Sequence, residues 1–108
     1  MKHLICIALV TLPFVNSVQA EVEVRGARSC GSWIESRKED GWPSRTAQAW
    51  LVGFLSGMAL ESDKDVLLGT DNLSIFAWMD KHCNENPLSS LTSGGMALFP
   101  ELARQKGR

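Results

Sequence analysis

Residues 46–60 of this 108-residue chain, TAQAWLVGFLSGMAL, carry no charged side chain and lie between Arg45 and Glu61. Apolar side chains recur there at the three- and four-residue steps of one helix face. They are Ala47, Trp50, Leu51, Phe54, Leu55 and Met58. A helix that is apolar on more than one side is covered on more than one side. We therefore expect this stretch to be the central buried helix of a small bundle.

A second stripe of the same stretch consists of small residues in steps of four, Ala49, Gly53 and Gly57. Glycine inside a helix costs about 1 kcal/mol relative to alanine, so close packing is the expected compensation. We predict that Gly53 and Gly57 are helix-packing positions, where the backbone of a neighbouring helix comes close. The same spacing occurs in membrane helices, but this uncharged run is shorter than the roughly 20 residues that span a bilayer.

Residues 1–20 have the pattern of a secretory signal peptide. A positively charged start precedes an apolar core over residues 4–15, and small or short residues precede a cleavage point after Ala20. This pattern predicts export to the periplasm and a single mature domain over residues 21–108. A retained membrane anchor is the alternative, although Pro13 interrupts the short apolar run.

Cleavage of the leader removes Cys6 and leaves two cysteines, Cys30 and Cys83. An even pair in an oxidising compartment indicates a disulfide. The closed loop of about 54 residues would contribute on the order of 4 kcal/mol in the chain-entropy model, comparable to the whole stability of a small domain. Two free thiols or a metal site are the alternatives.

Three further segments have helical patterns and predict an all-α fold. We expect a first helix over residues 29–39, the central helix after Ser44, a third helix over residues 72–84, and a fourth that starts at Asn86-Pro87. Ser29, Ser44 and either Thr70 or Asp71 are the expected caps of the first three helices. Gly94-Gly95 and Pro100 can divide the last segment, so the disulfide-stapled bundle has four helices, or five.

The expected disulfide also predicts how the helices are arranged. Cys30 lies at the start of the first predicted helix and Cys83 in the last turn of the third. The two can meet only if these helices lie side by side. We therefore expect the first and third helices to flank the central one.

Charge excludes one class of function. The mature chain keeps ten basic and twelve acidic residues, for a net charge of −2, with no basic run. Nucleic-acid binding is therefore disfavoured.

Trp42 and the acidic segment after the central helix are the candidate partner contacts. We expect the other three tryptophans, Trp33, Trp50 and Trp78, in the core. Trp42 lies in a turn, where it is either a lid over the core or a recognition residue. Asp63 and Asp65 lack the remaining ligands of a calcium loop, so a solvated acidic loop is the better interpretation.

Catalytic motifs are missing from the sequence. His82 adjoins Cys83, but neighbours on a helix point about 100° apart, so they do not chelate a metal together. We interpret His82 as a solvated residue at a helix end. No nucleophile motif, phosphate loop or carboxylate pair occurs in the sequence. We therefore expect neither an enzyme nor a cofactor or metal.

Several stretches resemble the HdeA-type periplasmic proteins and the related Tai-type immunity proteins of type VI secretion. They are CGSW, AWLVGFLSG, SIFAWMDKHC, and NPLSSL followed by MALFPEL, within about residues 28–102. The first cysteine, Cys30, precedes the second helix, and this position is closer to HdeA than to the Tai type. HdeA, however, has more lysine and less tryptophan. The resemblance implies a compact, non-catalytic helical bundle in which Cys30 and Cys83 are the structural pair.

The resemblance also implies a function in protein binding. We expect a small exported protein of the HdeA-like, acid-stress chaperone type, which binds unfolded clients. One alternative is an immunity protein that neutralises a type VI secretion cell-wall amidase effector. Another is a small structural or accessory subunit of an envelope complex. A second copy of the chain is a further candidate partner; no nucleic acid and no stable membrane span after leader cleavage are expected.

Overall fold

The computed structural model of the protein describes residues 22–106, and within them the fold is all-α. Four helices follow one another along the chain: α1 (Cys30–Ser36), α2 (Trp42–Ser62), α3 (Asn72–Glu85) and α4 (Leu91–Lys106). The predicted four-helix, disulfide-stapled bundle is confirmed. The predicted signal peptide lies outside the described residues.

Short polar side chains begin two of the helices as predicted. The Ser29 hydroxyl accepts a hydrogen bond from the Ser32 N–H at 3.0 Å at the start of α1. Asp71 accepts one from the Ser74 N–H at 2.7 Å at the start of α3. Each side chain satisfies a backbone donor that has no partner within the helix.

The start of α2 differs from the prediction of a Ser44 cap. The helix already begins at Trp42, with Gly41 as N-cap and Pro43 in the first turn. Proline fits there because the first helical N–H groups have no intrahelical partner. Ser44 is instead a buried residue of α2, and its hydroxyl accepts a hydrogen bond from the Gln48 amide at 3.0 Å.

The predicted start of α4 at Asn86-Pro87 is also wrong. Residues 86–90 form a turn, and α4 begins at Leu91. The Cys30 N–H donates to the Ser89 carbonyl, and the Leu91 N–H to the Arg28 carbonyl, both at 2.9 Å. These bonds hold the segments before α1 and α4 together in a single antiparallel bridge. Long-range backbone pairing thus outweighs the local helix-start signal.

Helix α4 runs unbroken through Gly94-Gly95 and Pro100, so the described bundle has four helices. The two glycines are buried against side chains of neighbouring helices. A Cβ added at Gly94 would lie 2.6 Å from the Met79 sulfur, and one at Gly95 would lie 2.7 Å from the Phe54 ring. Glycine at these positions lets α4 approach its neighbours.

Gly53 and Gly57 do not have the packing role that we predicted. Both lie on the exposed side of α2, and a Cβ added at either would meet no atom within 4 Å. The prediction is wrong because the faces of α2 that other helices cover lie around Leu51 and Leu55, which are fully buried. Close packing is provided by the glycines of α4 instead.

The helices pack in a ring. α1 lies against α2 and α3, and α4 lies against the same two helices from the other side. The predicted neighbourhood of α1 and α3 is confirmed. However, α2 and α3 lie diagonally across the ring, so α3 does not flank α2 as expected.

The core fills the centre of this ring. Its largest fully buried side chains come from all four helices and the α2–α3 loop: Trp33, Leu51, Leu55, Ile75, Met79, Leu91, Leu98 and Val66. Trp33 is buried as predicted, while Trp50 and Trp78 are half-buried against the core. Extended residues 22–28 run along α2, where the Trp50 indole N–H donates to the Arg25 carbonyl at 2.8 Å.

Candidate protein-binding surfaces

The Cys30–Cys83 disulfide joins the start of α1 to the end of α3, with a Cα–Cα distance of 4.9 Å. Both cysteines are fully buried. The predicted pairing is confirmed, and the alternatives of free thiols or a metal site at these cysteines are excluded. The disulfide fixes one end of the α1–α3 contact.

Asp80 joins the same two helices on the outside. One carboxylate oxygen accepts from the Trp33 indole N–H at 2.8 Å and from Arg37 Nε at 2.9 Å, and the other accepts from Arg37 Nη2 at 3.0 Å. Arg37 also lies over the Trp33 ring, 5.6 Å from its centre. The hydrogen bond to Asp80 is the main cause that raises the pKa of Arg37.

The sequence analysis missed Asp80 as a structural residue. The available signal was Trp33: a buried tryptophan needs an acceptor for its indole N–H. No spacing rule identifies that acceptor 47 residues further along the chain.

His82 lies in the last turn of α3 as predicted, but it is not a solvated residue. It is half-buried, and its ring stacks on Trp78 with the ring centres 5.0 Å apart. Its Nε2 atom is buried and has no hydrogen-bond partner among the described residues. The small size of Gly94 makes room for this ring, because a Cβ there would lie 3.2 Å from the imidazole.

Trp42 is exposed and does not cover the core. Its relative accessibility is 77%, which rules out the lid interpretation and leaves the indole available to a partner. The neighbouring cleft between α1 and the start of α2 has both charge signs on its walls, including Arg28, Glu35 and Lys38.

Asp63 and Asp65 lie at the other end of α2. Asp63 is the C-cap, with a left-handed φ of 53°, and both carboxylates line a shallow groove together with Leu60. Trp42 and Asp63 are separated by the whole 21-residue helix, which is roughly 30 Å long at 1.5 Å per residue. The candidate partner contacts, Trp42 and the acidic segment, therefore belong to two separate surfaces.

Large apolar side chains are exposed on many parts of the domain. In addition to Trp42, the exposed ones within the loops and helices are Leu60, Leu68, Leu73, Leu88 and Met96. They lie on α2, α3, α4 and the α2–α3 and α3–α4 connections, and Leu88 is fully exposed. Single exposed apolar residues are ordinary, but their spread over several elements provides many small contact points.

A continuous apolar groove runs between α2 and α4. Gly53 and Gly57 form its floor on one side, and Phe54, Met58 and Phe99 supply the apolar walls. Glu61 stands at its end. The exposed glycines thus line an open surface in place of the predicted buried helix contact.

No family model, curated protein or solved structure matches this chain. Residues 22–106 contain no cluster of three histidine, cysteine, aspartate or glutamate side chains that could hold a metal ion. In that same part of the chain, no helix combines the length and the apolar character needed to cross a membrane.

Proposed function

We propose that the protein is an exported, non-catalytic binding protein of the HdeA-like, acid-stress chaperone type. The observation that carries this proposal is the spread of exposed large apolar side chains over several elements of a disulfide-stapled bundle. Such a distribution suits transient contacts with the apolar segments of many unfolded clients better than one tight interface.

Acid acts on the carboxylate that caps α3. The pKa of Asp71 is lowered by the hydrogen bond from the Ser74 backbone. Because this pKa is depressed in the folded state, Asp71 contributes stability above its ordinary value of 3.8, and that contribution is lost as the pH falls through the lowered value. The cap of α3 therefore weakens in acid.

Asp80 and Arg37 join α3 to α1 through an ion pair on the outside of the bundle. Near pH 2 carboxylates as a class are protonated, so acid weakens the carboxylate contacts of the bundle. The Cys30–Cys83 disulfide keeps the same helices connected. The expected acid state is therefore loosened and stapled, with core side chains accessible to clients, and the remaining positive charge keeps it soluble.

Light scattering of an aggregating client at pH 2 tests the proposal. We expect a stoichiometric amount of the disulfide-bonded chain to suppress client aggregation at pH 2 and to have little effect at pH 7. Lysozyme at the same mass concentration controls for non-specific protein effects. Client aggregation at pH 2 that proceeds at the control rate would refute the chaperone function.

An immunity protein is the second candidate, and the groove with Asp63, Asp65 and Leu60 favours it. A localised acidic and apolar groove on a folded surface suits one specific effector at neutral pH. The test is inhibition of a type VI secretion cell-wall amidase at pH 7 by the wild-type chain and by Asp63→Asn/Asp65→Asn. Inhibition that the double substitution abolishes would support this candidate, and no inhibition by the wild type would exclude it for that amidase.

A further inference from the structure

Nε2 of His82 is the one buried side-chain nitrogen or oxygen within residues 22–106 that has no hydrogen-bond partner. Nearly every buried polar atom of a folded protein has such a partner, so an exception calls for a physical explanation. The packing of the ring against Trp78 and Gly94 does not supply one, because that packing involves ring carbons and the flat face of the ring.

The His82 ring lies in the contact between α3 and α4. It stacks on Trp78, one turn earlier in α3, with the ring centres 5.0 Å apart and the ring planes 11° apart. Its Cδ2 atom, which is bonded to Nε2, is 3.2 Å from the position that a Cβ of Gly94 would occupy. The edge of the ring that carries Nε2 therefore lies against α4.

The segment that this edge meets has no carboxylate. Residues 86–100, which form the turn before α4 and the first ten residues of the helix, contain no charged side chain. The first carboxylate of α4 belongs to Glu101, seven residues after Gly94, and it accepts a hydrogen bond from Arg104 at 2.7 Å. A proton on Nε2 would thus find no anionic partner across the contact.

The charged groups of α3 itself are directed elsewhere. Lys81 and Glu85 are exposed, and Asp80 pairs with Arg37 of the α1 end at 2.9 Å. No ion pair of the described residues includes His82. The imidazole therefore has no charged partner from its own helix either.

The closed contact accommodates a neutral ring better than a charged one. A neutral imidazole has one proton, which it can keep on Nδ1, and Nε2 is then a bare acceptor. A protonated imidazole has an N–H at both nitrogens, so Nε2 becomes a buried cationic donor without an acceptor. Stacking on Trp78 attracts the charged ring, but it satisfies no N–H, because the N–H bonds lie in the ring plane and the two rings are nearly parallel.

We propose that His82 is a pH-sensitive switch in the α3–α4 contact, closed with a neutral ring and loosened when the ring takes up a proton. Histidine is the side chain that changes charge between pH 5 and 8, so the switch acts in milder acid than the Asp71 cap. The loosening is local, because the adjacent Cys83 stays bonded to Cys30. This inference does not depend on the chaperone function.

Proton counting gives the direction of the pH dependence. The loosened contact binds one proton more than the closed contact, so a falling pH favours loosening, by at most about tenfold per pH unit. Above the range in which histidine titrates the contact is closed, and its contribution is lost as the pH falls through that range.

Hydrogen exchange at the Gly94 amide tests the switch, because this N–H donates to the Ser90 carbonyl at 2.9 Å in the first turn of α4. The full chain, with its disulfide formed, is studied by NMR at pH 7.5 and pH 5.5. After correction for intrinsic exchange rates, we expect protection to fall by about tenfold in wild type. In His82→Phe, which keeps a flat ring but cannot be protonated, protection should stay constant. Lys81→Gln, an exposed charge change in the same turn, is the matched control and should behave as wild type.

The imidazole Cε1–H signal gives a second measurement that needs no substitution at His82. His3 is the only other histidine of the chain, and His3→Gln identifies its signal. We expect the His82 signal and the Gly94 protection to change with the same midpoint between pH 7.5 and pH 5. A ring that takes up its proton while Gly94 stays protected, a ring that does not titrate in this range, or an equal loss of protection in His82→Phe would each overturn the proposal.

Discussion

Asp80 of α3 contacts two side chains at α1, Trp33 and Arg37. It is the acceptor for both the buried Trp33 indole and the Arg37 guanidinium, and the pair is about one third exposed. A charge-assisted, two-bond arginine–carboxylate contact is stronger than an ordinary surface ion pair. Asp80 therefore links the core tryptophan to the protein surface.

Asp80→Asn separates the ion pair from the indole hydrogen bond. The amide oxygen still accepts from Trp33, but the charge that faces Arg37 is lost. We expect a loss of about 1 kcal/mol in the free energy of unfolding at pH 7, measured with urea. Glu35→Gln, in an exposed pair with Lys38, is the control and should change the free energy of unfolding less. A loss in Asp80→Asn that is no larger than the loss in Glu35→Gln would contradict the role given to the Asp80 charge.

The starts of the helices and the positions of the buried glycines could be predicted from the sequence only in part. The α3 cap at Asp71 depends on residues three positions apart, so the sequence alone limited the cap to Thr70 or Asp71. The start of α4 depends on pairing between Arg28 and Leu91, which no local pattern contains. Which glycines are buried depends on which helices are neighbours in the ring. The Cys30–Cys83 pair predicts that α1 and α3 are neighbours, but it does not predict the neighbours of α4.

Gly94→Ala tests the close contact of α4 with α3. The added methyl would lie 2.6 Å from the Met79 sulfur, so Met79 must move although alanine is the better helix former. We expect the unfolding free energy to fall by about 1–3 kcal/mol, as for overpacked cores. Gly53→Ala is the matched control, because a Cβ at Gly53 meets no atom within 4 Å. It should leave the free energy of unfolding unchanged or raise it by up to about 1 kcal/mol. A Gly94→Ala variant as stable as wild type would show that the contact is looser than described.

Asp71→Asn isolates the acid sensitivity of the α3 cap. Asparagine caps helices as well as aspartate does, but it does not titrate. Because the folded-state pKa of Asp71 is lowered, wild type loses this part of its stability as the pH falls below about 4, and the variant does not. We expect a shallower decline of the urea midpoint between pH 5 and pH 2 in Asp71→Asn. Parallel declines in the two proteins would place the acid sensitivity elsewhere.

The disulfide is expected to supply a large part of the stability of the whole domain. The four helices bury one small core, and the bond between Cys30 and Cys83 closes a loop with a sequence separation of 53 residues. In the chain-entropy model that closure contributes on the order of 4 kcal/mol, comparable to the total stability of a domain of this size. Acid does not break this covalent connection between α1 and α3.

Cys30→Ala/Cys83→Ala therefore should be unfolded or nearly so at 37 °C and pH 7. We expect a loss of about 2–5 kcal/mol in unfolding free energy, measured by thermal and urea unfolding. Cys6→Ala, in the predicted leader, is the control and should leave the stability of the purified protein unchanged. A double variant with wild-type stability would mean that the core alone supports the fold.

Direct binding of an unfolded client tests the central claim, that acid converts this stapled bundle into a client-binding form. A fluorescently labelled, acid-unfolded client is titrated with the disulfide-bonded protein at pH 2 and at pH 7, and its anisotropy is recorded. We expect saturable binding at pH 2, and binding that is weaker by about tenfold or more when the same sample is returned to pH 7. Binding that is absent at pH 2, or equal at the two pH values, would contradict it.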